Sequence, residues 1–136
     1  MYGNEGRDIM TGWSGDDILH GGDGRDTLRG KAGDDTLDGG QGSDKIEGDG
    51  GDDVIHGGLG YDYIYAGDGD DIAFAGADGG RIEGGRGDDT LVGGDGNDLI
   101  FGGEDDDIIF GKEANDFIKG GQGEDQISGG DGEDKI

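Results

Sequence analysis

From Gly3 onward the sequence repeats one nine-residue pattern, G-G-x-G-x-D-x-U-x with U apolar, without insertion or deletion. Gly21-Gly22-Asp23-Gly24-Arg25-Asp26-Thr27-Leu28-Arg29 is a full instance. Fifteen copies fit, the last one residue short. The sixth place is Asp in fourteen of the fifteen, with Gly80 the exception, and the eighth place is apolar in every copy. A period of this kind specifies a stacked array, because one short unit cannot bury its apolar residue alone.

Each nonapeptide reads as two halves. The first six residues, as in Gly39-Gly40-Gln41-Gly42-Ser43-Asp44, are turn chemistry, where glycine supplies positive φ and lets backbones approach closely. The last three, as in Lys45-Ile46-Glu47, read as a minimal strand whose middle side chain points inward while its neighbours point out. No segment has helical periodicity. A longer period lies inside the short one. The fifth place of every even copy is acidic, at Asp16, Asp34, Asp52, Asp70, Asp88, Asp106 and Glu124, whereas the odd copies carry Arg7, Arg25, Ser43, Tyr61, Gly79, Asn97, Asn115 and Glu133. The structural unit is therefore 18 residues, one solenoid turn containing two strands and two turns. Like strands stack into two parallel sheets, about 4.7–4.9 Å per layer.

Two core columns follow. One is Met10, Leu28, Ile46, Ile64, Ile82, Ile100, Ile118 and Ile136; the other is Leu19, Leu37, Ile55, Ala73, Leu91, Ile109 and Ile127, with Ala73 its thin spot. Fifteen such side chains are a small core set against the conformational entropy of ordering 136 residues, so a ligand specific to the folded state is expected to supply the remainder.

The sixth-place aspartates are the candidate ligands. Stacked 18 residues apart, the even column places Asp17, Asp35, Asp53, Asp71, Asp89, Asp107 and Asp125 in six adjacent pairs. The odd column places Asp8, Asp26, Asp44, Asp62, then Gly80, then Asp98, Asp116 and Asp134, with five intact pairs. Calcium takes six to eight oxygens from carboxylates and carbonyls, and carboxylates beside glycine-rich backbone supply both. Asp also caps turns for its own sake, but capping alone does not explain the phase, the glycines and the charge together. Acids outnumber bases 35 to 10, giving −25; one ion in each of the eleven pairs would bring this to about −3.

The nonapeptide resembles the RTX, or haemolysin-type, calcium-binding repeat, and the resemblance runs from Gly3 to the last residue. It implies an all-β, right-handed parallel β-roll with calcium ions in its turns, about eleven of them if each intact pair of aspartates holds one. It also implies a secreted protein, usually exported by type I secretion, in which the roll folds on meeting extracellular calcium and supports an adjoining catalytic or toxin domain. We read residues 1–136 as one such domain, with fifteen repeats over 3–136, and expect no catalytic activity of its own. A rival reading is an adhesin-like or glycan-recognition module.

Other classes find little support. The acidity opposes nucleic-acid binding, which needs a basic footprint, and no apolar run reaches membrane-spanning length. There is no Cys, so no disulfide staple. Met1 to Gly12 lacks the apolar core of a signal peptide, and the stop inside a repeat at Ile136 suggests a piece of a longer chain. His20 and His56 share a column but lie two layers apart, roughly 9.6 Å, too far to share an ion. Neither a zinc-protease H-E-x-x-H nor a nucleotide-binding glycine motif is present.

Irregularities are local. Asn4 and Trp13 replace the second glycine, and Asp105 and Ala114 replace the fourth. The copy from Ala75 to Glu83 carries Asp78 at the fourth place and Gly80 at the sixth, so the two odd sites beside Gly80 are expected to be weak or empty. Outward places are polar at both ends, but the middle carries Val54, Ile72, Phe74, Val92, Ile108 and Phe110 on one sheet and Tyr63, Tyr65, Leu99, Phe101 and Phe117 on the other. That stretch reads either as a ladder of strand-favouring residues or as a face that docks something: an adjoining domain, a second copy, or a glycan on Tyr63 and Tyr65.

Overall fold

Every eighth-place residue but Ile136 lies in a strand, and the computed structural model, which describes all residues from Met1 to Ile136, is built from strands and their turns alone. In chain order they are β1 (Tyr2–Gly6), β2 (Ile9–Ser14), β3 (Ile18–Gly24), β4 (Thr27–Ala32), β5 (Thr36–Gln41), β6 (Lys45–Gly50), β7 (Val54–Leu59) and β8 (Asp62–Asp68). Then follow β9 (Ile72–Gly76), β10 (Gly80–Arg86), β11 (Thr90–Gly94), β12 (Leu99–Glu104), β13 (Ile108–Glu113), β14 (Phe117–Gly121) and β15 (Gln126–Asp131). The odd strands form one eight-stranded sheet and the even strands a seven-stranded sheet, both in sequence order. All pairings are parallel and in 18-residue register, as in Leu19↔Leu37 and Leu28↔Ile46. The chain is thus a parallel β-solenoid of about seven turns, as the 18-residue period requires.

The strands are longer than the three residues the sequence suggests, running five to seven. Thr27–Ala32, for example, continues through Gly30. The register carries the ladder on in both sheets, through Trp13↔Lys31 and Lys31↔Asp49 in the even one and, in the odd one, through glycine against glycine (Gly22↔Gly40, Gly40↔Gly58, Gly58↔Gly76). With no side chain between them, these backbones approach closely and the ladder continues toward the turn.

Between the sheets lie the two columns of eighth-place residues, from Met10 to Ile118 and from Leu19 to Ile109, all buried. The ends depart from the expectation. Ile127 is only partly buried against the core, and Ile136 is 70% exposed because no layer covers it. Ala73 is also less thin than expected. Ala66 and Ala75 stand at first places that are glycine in every other copy, and their methyls are fully buried in the same cluster.

The turns keep their shape where glycine is missing. Gly24 and Gly42 have φ of +138° and +129°, and the replacements Asn4, Trp13, Asp105 and Ala114 retain positive φ of 78°, 83°, 75° and 71°. The stacked neighbours dictate the backbone, and the residue bears the strain.

The outward rows align as the register demands. Val54, Ile72, Thr90 and Ile108 form one row and His56, Phe74, Val92 and Phe110 the next. His56 stacks on Phe74 at 4.8 Å, and His20 lies 3.3 Å from a carboxylate oxygen of Asp38.

Candidate metal centre

Most sixth-place aspartates end a turn just before a strand, while Asp62 opens β8 and Asp134 lies beyond β15, and the side chains tuck inward. Asp26, Asp35, Asp44, Asp53, Asp62, Asp71, Asp89, Asp98, Asp107 and Asp116 are at most 4% exposed; Asp8, Asp17, Asp125 and Asp134, in the terminal layers, are half-buried. First-place glycine makes the room. A Cβ on Gly21 would stand 2.5 Å from Oδ2 of Asp26, and one on Gly39 would stand 2.6 Å from Oδ2 of Asp44. The first glycine of the motif thus leaves the space into which the carboxylate five residues later is packed.

The two carboxylate oxygens have different tasks. In each of the eleven intact pairs, Oδ1 accepts the backbone N–H of the aspartate one layer earlier, at 2.7–3.1 Å. The carboxylates therefore do cap turns, but across layers and with one oxygen only. Oδ2 has no hydrogen-bond partner in Asp8, Asp26, Asp35, Asp44, Asp53, Asp62, Asp71, Asp89, Asp98, Asp107 and Asp116, although it is fully buried there. A buried polar atom without a partner is costly and calls for an explanation. A buried anionic oxygen calls for a cation.

Burial also dominates the acidity of the column. Desolvation lifts Asp53 and Asp107 to about 6, and Asp62, Asp71, Asp89 and Asp98 to about 7, from 3.8. Asp35, Asp44 and Asp116 move the same way, again chiefly by desolvation. The amide bond from the neighbouring layer pulls each of them down, and neighbouring carboxylates push back up. Folding thus gathers carboxylates that resist ionisation unless a cation offsets them. No three carboxylate or imidazole side chains converge at one point. The donor set is pairs of aspartates with backbone carbonyls, hard oxygens that suit calcium.

At Gly80 the column is interrupted. The Gly80 N–H still donates to Oδ1 of Asp98, at 2.6 Å, but no carboxylate stands between Asp62 and Asp98. Asp78 does not fill the gap; its Oδ2 accepts from the N–H of Gly60 at 2.9 Å, on the exposed side of the turn. The space is partly taken. A Cβ on Gly80 would meet the methyl of Ala75 and the carbonyl of Asp62, each at 3.1 Å.

A second ladder, which sequence reasoning used only as a marker of period, runs outside the first on the even edge. The N–H groups of Asp34, Asp52, Asp70, Asp88, Asp106 and Glu124 each donate to the fifth-place carboxylate one layer earlier, at 2.7–3.1 Å. Its polarity is opposite to that of the inner ladder, and it is exposed. The odd edge has only Asn115 and Glu133, bonded to Asn97 and Asn115 in the same way. The unbroken acidic column was the signal for it.

No curated protein matches the chain. A family model described as RTX calcium-binding nonapeptide repeat (4 copies) matches at residues 1–28, 20–55, 47–82, 74–109, 83–118 and 101–136, which together span all of it. Proteins with such repeats are typically secreted, and the repeat is of a kind not usually catalytic. With two stacked Asp columns, an 18-residue turn and this match along its whole length, the chain belongs to the RTX calcium-binding nonapeptide repeat family.

Proposed function

We propose that each of the eleven adjacent aspartate pairs takes one calcium, and that at neutral pH the roll folds only when they are filled. The supporting observation is the column of buried, unpartnered Oδ2 atoms. Their ligands would come from Asp8, Asp26, Asp44, Asp62, Asp98, Asp116 and Asp134 on the odd edge, and from Asp17, Asp35, Asp53, Asp71, Asp89, Asp107 and Asp125 on the even edge, completed by backbone carbonyls. When bound, calcium supplies positive charge between layers and ties each turn to the next. The chain's own part is to pre-align the carboxylates through Oδ1 and to leave a gap beside each first-place glycine. Extracellular calcium modules typically bind at about 10⁻⁴–10⁻³ M. The roll would accordingly stay open in a cell and close outside it, which supports a role in secretion and in the folding of an adjoining domain. Calorimetric titration of the metal-free chain tests the site count. About eleven ions per chain are expected; two or three would contradict the assignment.

A glycan-recognition role has its own supporting observation. Tyr63 and Tyr65 stand out from adjacent outward places at 53% and 44% exposure, and exposed aromatic rings suit sugar faces. Binding to arrayed glycans that is lost in Tyr63→Ser with Tyr65→Ser would favour it, and absence of binding would remove it.

A further inference from the structure

The odd edge carries a feature that calcium does not explain. Of the five arginines, Arg29, Arg81 and Arg86 each pair with a carboxylate, respectively Glu47, Glu83, and Asp68 with Glu104. Arg7 and Arg25 pair with none, in a chain with 35 acidic residues. They are not scattered. Both occupy the fifth place of odd copies, one layer apart, and both line a single open cleft of about 350 Å³. Lys45, Thr27, Ser43 and Tyr63 complete its polar and aromatic wall. Stacked guanidinium groups repel one another at layer spacing unless an anion lies between them. The planar forks of two such groups match an oxyanion with two or more oxygens.

We propose that this cleft binds an oxyanion carried on a small polar molecule. The two guanidinium groups clamp the anion, and the hydroxyls of Thr27 and Ser43 with the ring of Tyr63 are placed to meet its carrier. Asp26 and Asp44 also line the cleft, and their charge opposes an anion until it is neutralised. The proposal therefore rests on calcium filling the odd column. The even edge offers no counterpart, because its fifth places are all acidic. The cleft thus gives the roll one anion-binding edge and one anion-repelling edge.

The test uses the whole 136-residue chain saturated with calcium, titrated with galacturonate, acetate and neutral galactose and followed by calorimetry. Galacturonate should bind and galactose should not. Acetate matching galacturonate assigns recognition to the oxyanion alone; weaker acetate binding assigns part of it to the sugar. Arg7→Gln with Arg25→Gln should weaken binding roughly tenfold or more, with an unchanged circular dichroism spectrum in calcium. Arg86→Gln, on a paired and exposed arginine, should leave binding unchanged. A folded chain that binds neither anion overturns the cleft alone, as does a double variant that binds as well as the parent. A chain that stays unfolded in calcium overturns the calcium reading, and this one with it.

Discussion

Gly80 and Ala75 are best understood together. In thirteen copies a first-place glycine faces a sixth-place aspartate, and a Cβ on the glycine would run into that carboxylate. Where the aspartate is missing at Gly80, the first place carries Ala75, whose methyl reaches toward the vacated space. From sequence the gap looked like a lost ligand awaiting repair. The structure adds that the methyl of Ala75 and the carbonyl of Asp62 crowd the place a side chain at 80 would take, each 3.1 Å from a Cβ there. Gly80→Asp alone should leave calcium stoichiometry unchanged or lower the thermal midpoint in calcium, whereas Gly80→Asp with Ala75→Gly should restore sites; ion counts and melting curves of the two variants decide it. Ala66, which faces an intact Asp71, shows that a methyl at this place is tolerated once, and nothing in the structure explains why there. Backbone strain gives a second prediction at this scale. Ala114 holds φ of 71° because its stacked neighbours do, and an L-residue in that region costs about 1–2 kcal/mol. Ala114→Gly should stabilise the calcium-bound roll by on the order of 1 kcal/mol, read as a higher melting temperature. A lower one would place the alanine methyl among the stabilising contacts.

At the scale of strand and turn, the sequence was legible wherever a period carried the signal. The two sheets follow from an acidic fifth place in alternate copies, and the core columns from the eighth. Strand length was not legible, because glycine in isolation reads as turn, and only its pairing with the backbone one layer away makes it strand. The division of labour within each carboxylate was also hidden, since Oδ1 as cap and Oδ2 as orphan depend on where the neighbouring amide points. That division has a pH consequence. Burial raises Asp62, Asp71, Asp89 and Asp98 to about 7 from 3.8. A raised folded value means the metal-free roll takes up protons on folding. Its stability is therefore fully present below about 3.8 and is lost as pH rises toward 7. Acid should partly substitute for calcium. In metal-free buffer, circular dichroism at pH 4 should show β-structure that disappears by pH 7.5. With calcium present the trend reverses, because protons compete with the ion. A metal-free chain equally unfolded at both values would mean that the buried carboxylates do not control closure.

For the molecule as a whole, charge and chain entropy act together against closure. At −25 with a core one residue wide on each sheet, self-repulsion opposes the compact state, and the apolar columns are too thin to overcome it. About eleven divalent ions would remove nearly all of that charge while tying successive layers together. Nearest-neighbour stacking of this kind makes folding cooperative along the array. Magnesium should not replace calcium, because it demands a near-ideal octahedron and keeps its waters. Small-angle X-ray scattering at neutral pH measures this directly. In excess chelator the radius of gyration should be near the unfolded value of about 38 Å for a chain of this length, and millimolar calcium should bring it to about 14 Å, with magnesium at the same concentration leaving the chain expanded. A chain already compact in chelator at neutral pH, with the same radius before and after calcium, would contradict the account.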